Sequence, residues 1–286
     1  ASTNGTTVMY AISGGLEVMA NATLTIAEGA VLFGQSGSDY LVIHRGAKIM
    51  AQGSKAKPII LTSLEDVKGE ETTAGQWGGM VILGNAPSND CPTDGSDCAL
   101  QVEGVSEGAV YGGTNWEDDS GILKYVVVKY AGYAISPGNE LNGITFGGVG
   151  SGTEVDYVQV HNNQDDCVEF FGGTVNVKHL VCTNAGDDNL DIDWGYQGKM
   201  QFVVVKQNVG AGDHIVESDN TNSNAAVGYL TEPRSQPMVA NFTFIGGGAD
   251  EPLKYKEGVS GIYINGIVVN QASQNGALCP THQWCA

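Results

Sequence analysis

Basic side chains are scarce in this 286-residue chain: Lys and Arg together number 13 against 32 Asp and Glu, a formal net charge of -19. Such a surface repels phosphate backbones and anionic lipid, so nucleic acid is not an expected partner, whereas cations are concentrated around it. Arginine occurs twice, at Arg45 and Arg234. No apolar run approaches the roughly 18 residues that a membrane-spanning helix needs, and helical periodicity is nearly missing. GxxxxGK[ST] and HExxH do not occur and no GxSxG or GxGxxG is placed between a strand and a helix, so nucleotide, metalloprotease and α/β-hydrolase readings have no support. Charge is also too sparse for a disordered chain: 16% charged against 42% hydrophobic residues, with 41 glycines, describes a turn-rich protein with a sizeable core.

What the chain has instead is short β-rich segments from end to end: Leu16-Glu-Val, Leu24-Thr-Ile, Val31-Leu-Phe, Leu41-Val-Ile, Lys48-Ile-Met and Ile59-Ile-Leu. Each is bounded by Gly, Asn, Asp or Ser, the pattern of strands and turns. Two blocks, Glu28-Gly-Ala-Val-Leu-Phe-Gly and Arg45-Gly-Ala-Lys-Ile-Met-Ala, align at an offset of 17 residues (45 − 28), which suggests a small coil. A clearer repeat occupies the middle of the chain, where Gln164-Asp-Asp-Cys-Val-Glu-Phe-Phe-Gly, Gly186-Asp-Asp-Asn-Leu-Asp-Ile-Asp-Trp and Gly212-Asp-His-Ile-Val-Glu-Ser-Asp align. Glu169, Asp191 and Glu217 then correspond, at separations of 22 (191 − 169) and 26 (217 − 191) residues. That is about one turn of a parallel β-helix, in which each coil stacks on the last. Asn142-Gly-Ile-Thr-Phe-Gly-Gly reads as an earlier, uncharged copy.

The expected fold is therefore all-β: a single-stranded, right-handed parallel β-helix, a solenoid with loop insertions. One domain is expected over residues 1–286, with insertions near 64–75 and 88–119, where the strand pattern lapses. These coils, with Gly75-Gln-Trp-Gly-Gly-Met-Val-Ile-Leu-Gly-Asn-Ala-Pro, Glu169-Phe-Phe-Gly-Gly-Thr-Val and the Gly186-Asp-Asp block, resemble the pectate-lyase-like β-helix superfamily, and within it a group of bacterial cell-surface and secreted proteins. The resemblance covers nearly the whole chain and implies fold and surface location. It implies no particular activity. The superfamily's polygalacturonases pair an Asp-Asp with Gly-His-Gly and Arg-x-Lys; here Gly212-Asp-His214 is a partial echo and no Arg-x-Lys occurs.

Six cysteines fall as Cys91/Cys98, Cys167/Cys182 and Cys279/Cys285, at spacings that match no CxxC metal or redox motif. They read as local disulfides, so a secreted or extracellular cell-surface location is expected.

The residues that carry chemistry are acidic. Within each repeat apolar residues alternate with acids (Val168 and Phe170 about Glu169; Leu190 and Ile192 about Asp191), which points the apolar side chains inward and the carboxylates outward. Stacking coils at about 4.8 Å then aligns Glu169, Asp191 and Glu217 in one outward column. Two carboxylates at that spacing repel by roughly 3 kcal/mol at an effective dielectric near 20. Solvent, protonation or a bound cation must offset this. Ca²⁺ is the expected ion, since Asp, Glu, Asn and turn carbonyls supply the oxygens it takes, and no cysteine-histidine set favours zinc. The candidate ligands are Asp165, Asp166, Glu169, Asp187, Asp188, Asp191, Asp193, Asp213, Glu217 and Asp219. Neither known calcium loop fits: Ile192 stands where an EF-hand needs Gly, and Gly152 where the repeat-in-toxin nonapeptide carries Asp.

The expected function is non-catalytic: a calcium-binding structural, adhesive or polysaccharide-binding protein, with extracellular polysaccharide or cell-envelope components as partners. Open sheet edges at the ends of a solenoid also allow self-association, and Cys279 to Cys285 reads as a cap. The alternative is a calcium-dependent polysaccharide lyase or glycoside hydrolase using Asp187, Asp188, Asp191 and His214, because paired carboxylates serve as acid and base. His161 and His214 are the candidate general bases, and a lyase base would come from Lys178, Lys199, Lys206, Lys254 or Lys256. Trp77, Trp116, Trp194 and Trp284 are candidates for stacking on sugar rings.

Overall fold

The computed structural model describes residues 8–92, 97–136, 139–221, 228–247 and 250–270. Cys279, Cys285 and Trp284 lie outside the described residues. The chain winds as a right-handed parallel β-helix made from an eight-stranded and a 12-stranded sheet, both parallel throughout. Among the described residues no helix is long and apolar enough to cross a membrane.

Alternation of side chains across each strand builds the interior. Along Gly121–Lys129 and Lys199–Lys206 buried residues alternate with outward ones on either side of a break at Tyr125 and Phe202, and the inward Val, Ile, Leu and Phe of successive coils merge into one continuous core. Phe146, Phe170 and Tyr196 stack within it at centroid distances of 5.4 and 4.5 Å. The Cys167–Cys182 disulfide, with Cα atoms 6.1 Å apart, lies wholly inside. Trp77 is also interior, its indole N–H donating to the Lys129 carbonyl at 2.7 Å.

One corner of the coil is made by a left-handed residue. Tyr125, Tyr157, His179, Phe202 and Asn241 have φ between 49° and 61° and interrupt the long strands at matching positions. The first four stack their rings at 4.5, 4.1 and 4.9 Å, and such pairs offset some of the backbone cost of the conformation. In the first coils the two halves of these strands are separate: Gly121–Lys129 pairs with both Lys48–Gln52 and Ile59–Ser63.

The 17-residue coil suggested by the Glu28 and Arg45 blocks is not observed. Val31 pairs with Ile60 and Thr23 with Lys48, so a coil is well over 17 residues long here. The two blocks resemble each other because each begins at a turn with a left-handed glycine, Gly29 and Gly46, followed by a strand. Similar turns recur within a coil as well as between coils.

Two segments leave the coil. Residues 64–75 begin with a five-residue helix, Leu64–Lys68, capped by Ser63 and ended by Gly69 at φ 72°. The segment 88–119 carries the antiparallel hairpin Leu100–Gln101 and Val110–Tyr111 and the Cys91–Cys98 disulfide, and it lies over the outer face of the eight-stranded sheet. There Val102, Ala109 and Tyr111 pack on Val42, Val81 and Leu83, forming a second apolar cluster outside the coil. Ser106 donates to Glu17 at 2.7 Å and Asn89 to Asn220 at 2.9 Å, and the Arg45 guanidinium donates to the carbonyls of Cys98 at 2.5 Å and Gly112 at 2.8 Å. Hydrogen bonds from a charged donor are worth about 1.5–3 kcal/mol each. Arg45→Ala is therefore expected to speed amide hydrogen exchange in residues 97–112 while Val168–Phe171 keeps its protection. Unchanged exchange in the segment would show that it is not anchored this way.

Candidate functional site

The acidic repeats form the outer face of the eight-stranded sheet. Register aligns Glu17, Val42, Val81, Thr145, Glu169, Asp191, Glu217 and Lys254 in one column. The column turns from apolar, under the inserted segment, to acidic and finally basic. A second file runs along the preceding turn: Asp166 accepts the N–H of Asp188 at 2.9 Å, and Asp188 accepts that of His214 at 2.6 Å. His214 thus stands where earlier coils have Asp. Asp165, Asp187 and Asp213 flank this file on the outside, and Asp193 and Asp219 follow the strand file. All ten candidate ligands converge on one face.

The face is not evenly solvated. Asp187 is exposed and Asp165, Asp191, Asp193, Asp213 and Glu217 are half-buried, but Asp166 is 6% and Glu169 5% exposed, and Asp188 and Asp219 are buried too. The strand alternation does point these acids away from the core, as expected; the inserted segment 88–119 then covers part of them, which sequence alternation does not report.

The two ends of the face differ electrostatically. At the C-terminal end Glu217 is ringed by cations: Lys254 at 2.9 Å, Lys256, and the His214 Nδ1 at 3.2 Å. Burial alone would raise the Glu217 carboxyl, but hydrogen bonds from His214, Lys256 and Lys254 hold it well below the usual carboxylate range. Burial likewise opposes charge on His214, and the hydrogen bonds to Asp188 and Glu217 outweigh it, raising the imidazole to about 10. Lys256 also reaches Asp219 at 3.1 Å.

Toward the middle of the face the carboxylates have no such partners. Asp166, Glu169 and Asp191 place one oxygen each within 4.8 Å of one another. Burial pushes all three well above the normal range, followed by the Asp191 charge at Asp166 and Glu169 and by the Asp193 and Asp188 charges at Asp191. Desolvation of its carboxyl and the Asp219 charge raise half-buried Asp193 to about 8, and desolvation and the Asp187 charge raise half-buried Asp165 to about 7. Asp187 rises to about 6 from burial and the Asp188 charge. Asn142 joins this group: its amide donates to Glu169 and, at 3.1 Å, to Thr145. Asn142 is 2% exposed, and its side-chain oxygen is buried without a partner among the described residues. Buried polar atoms normally find one.

Asn142 and Thr145 extend the same register one coil earlier, a position legible in the repeat. Glu103 has no such signal. It comes from the inserted segment, with its carboxyl against Glu169, and burial and the Glu140 charge raise it to about 7. Of the lysines considered as bases, Lys254 and Lys256 lie at this face, whereas Lys178, Lys199 and Lys206 belong to strands of the 12-stranded sheet. His161 is also on that sheet, hydrogen-bonded to Thr183 at 2.7 Å.

A family model described as a pectate-lyase-like beta helix domain matches residues 3–278. The chain belongs to this family. No curated protein and no solved structure matches it. Within this pectate-lyase-like β-helix the family assignment supports a polysaccharide-related or structural role, and the acidic groups are ones that could hold a metal ion.

One further residue marks this face. Trp194 has φ 53°, at the position that the two preceding coils fill with Gly148 (φ 55°) and Gly172 (φ 64°). The left-handed conformation costs a residue with a side chain about 1–2 kcal/mol. The loop carrying Ser88 and Asn89 donates two hydrogen bonds to the Trp194 carbonyl, at 3.1 and 2.9 Å, and fixes it there.

Carboxyls with raised pKa hold protons in the folded protein that the unfolded chain releases, so stability falls as pH climbs from their unfolded values, near 4, through their folded ones. Here that window runs from about pH 4 to 8, set by Asp187, Asp165 and Asp193. The raised His214 acts in the same direction above its unfolded value, 6.5, its contribution being lost toward about 10. Chelator-treated protein is expected to melt at a higher temperature at pH 5 than at pH 8; the opposite order would mean that these carboxyls are not raised.

Proposed function

We propose that this protein is an extracellular, non-catalytic, Ca²⁺-binding β-helix whose partners are polysaccharide or cell-envelope components. The observation that carries the reading is the group of buried Asp166 and Glu169 with half-buried Asp191, with no cation paired to them among the described residues. A hard cation is the natural counterpart. Its oxygen ligands sit at 2.3–2.6 Å, so two of them on one ion are at most about 5 Å apart, a spacing the three carboxylates already meet. The orphan oxygen of Asn142 adds a neutral donor of the same class. Bound Ca²⁺ would supply the charge balance and cross-link neighbouring coils. Two disulfides and the family assignment support an extracellular setting.

Catalysis has less support. An imidazole can act as a general base only in its unprotonated form, and His214 is 2% exposed and kept protonated by Asp188 and Glu217 at neutral pH. Asp188 is tied to the same imidazole at 3.2 Å.

Calorimetric titration of CaCl₂ into chelator-stripped protein, with thermal melts, tests the reading. Micromolar binding is expected, with a stabilisation of about 2.7 kcal/mol at a hundredfold excess over Kd. Glu169→Gln should abolish the binding and, without metal at pH 8, melt above the wild type, because the amide removes a buried carboxyl that must otherwise take up a proton on folding. Glu217→Gln should keep the binding but melt lower, since Lys254 and Lys256 lose their partner. Absence of both heat and melting shift in the wild type would overturn the proposal.

A further inference from the structure

Beside the acidic group, between the inserted segment and the coil, lies a cleft of about 230 Å³ whose walls include Tyr111, Phe171 and Trp194, with Asp90 and Glu103 as its charged lining. It continues past Glu103 into a wider hollow of about 460 Å³ that adds Glu107 and Asn139. Tyr111 and Phe171 stack at 5.9 Å, leaving a continuous aromatic surface on that side. No Lys, Arg or His lines either hollow. The nearby cations are engaged elsewhere: Arg45 on the carbonyls of Cys98 and Gly112, Lys254 and Lys256 on Glu217. Four carboxylates, Glu169, Asp90, Asp193 and Glu103, bear on the Tyr111 phenol.

Trp194 is what sets this cleft apart from the rest of the aromatic surface. The exposed ladder of Tyr125, Tyr157, His179 and Phe202 uses its ring faces on itself, which leaves mainly edges for a ligand. Trp194 instead replaces the glycine of the two preceding coils, in a conformation that glycine holds without strain, and is one of the residues that line the cleft. Strained residues of this kind concentrate at ligand sites.

We propose that this cleft binds an amine-bearing sugar, a hexosamine unit with its amino group free, by stacking the ring on Trp194 and seating the ammonium between Asp90 and Glu103. An acidic sugar meets only like charge here, and a neutral one leaves the carboxylates uncompensated. A small cation without a ring forgoes the aromatic wall, whereas a ring carrying an ammonium satisfies both through apolar contact, cation–π attraction and charge-assisted hydrogen bonds. The second hollow gives room for a neighbouring unit of a chain. The site adjoins the proposed calcium group, since Glu103 touches Glu169, but Asp90 and the aromatic wall of Tyr111, Phe171 and Trp194 belong to the cleft and to no part of that group.

Titration calorimetry with four defined probes tests the proposal: the β-1,4-linked disaccharide of glucosamine, its N-acetylated counterpart, a digalacturonate and 1,4-diaminobutane. The glucosamine disaccharide is expected to bind at least tenfold more tightly than each of the others. Trp194→Gly, which restores the residue of the preceding coils and so should fold, is expected to lose at least tenfold in affinity, and the near-isosteric Glu103→Gln to lose most of the preference for the free amine. Equal binding of the acetylated and free sugars, equal binding of 1,4-diaminobutane, or an unchanged affinity in Trp194→Gly would each overturn it. Repeating the titration after chelation separates the two sites, since loss of calcium binding alone would leave the sugar result standing.

Discussion

In a parallel β-helix each side chain sits about 4.8 Å from its counterpart one coil away, so wherever the sequence repeats, like is placed against like. For Val and Phe this is favourable, and the continuous core follows from it. For Glu169 and Asp191, which pair directly, the same rule brings carboxylates together that would otherwise avoid each other. The distribution of charge over the rest of the outer face is a set of answers to that repulsion. At Glu217 the answer is basic residues from the next coil, Lys254 and Lys256, and a histidine in place of the turn aspartate. At Glu169 no such substitution has occurred, and the acids are also covered, which removes water as the screening medium.

This division favours the central acids over the terminal ones as the proposed place for an ion. A divalent cation arriving near Glu217 would have to displace two lysines and an imidazolium already paired there. One arriving near Asp166, Glu169 and Asp191 displaces only protons. The proposed calcium site and the raised carboxyl pKa values are therefore two descriptions of one unmet demand for positive charge, and competition between protons and a bound metal would follow from it.

Much of this was legible in the sequence, because β-helix coils print their register as spacing. The alignment of Glu169, Asp191 and Glu217 follows from three short motifs and is matched residue for residue by the strand pairing. The same alignment reaches back to Asn142 and forward to Lys254, both of which lie at the site for that reason. What spacing could not convey is the fate of the non-repeating segment. Residues 88–119 have no counterpart in another coil, so neither their docking through Arg45 and Glu17 nor the approach of Glu103 to Glu169 leaves a periodic trace. The short offset between the Glu28 and Arg45 blocks misleads for the opposite reason: turn chemistry repeats at corners within one coil, and a match of Glu or Arg followed by Gly-Ala does not distinguish corners from coils.

The insertion also links the apolar and the acidic halves of the face. Val42 and Val81 occupy outward positions in the same column as the acids, where a solenoid without an insertion would expose them; covering them calls for apolar residues from elsewhere, and Val102, Ala109 and Tyr111 supply these. A lid held down by that contact cannot stop abruptly where the column turns acidic. Its margin, with Tyr111 and Glu103, overhangs Glu169 and meets Phe171 and Trp194 on the coil. Burial of the acids and the existence of an aromatic cleft beside them thus have a common origin in the need to shield two valines, and the left-handed tryptophan is the one element of the cleft that this need does not account for.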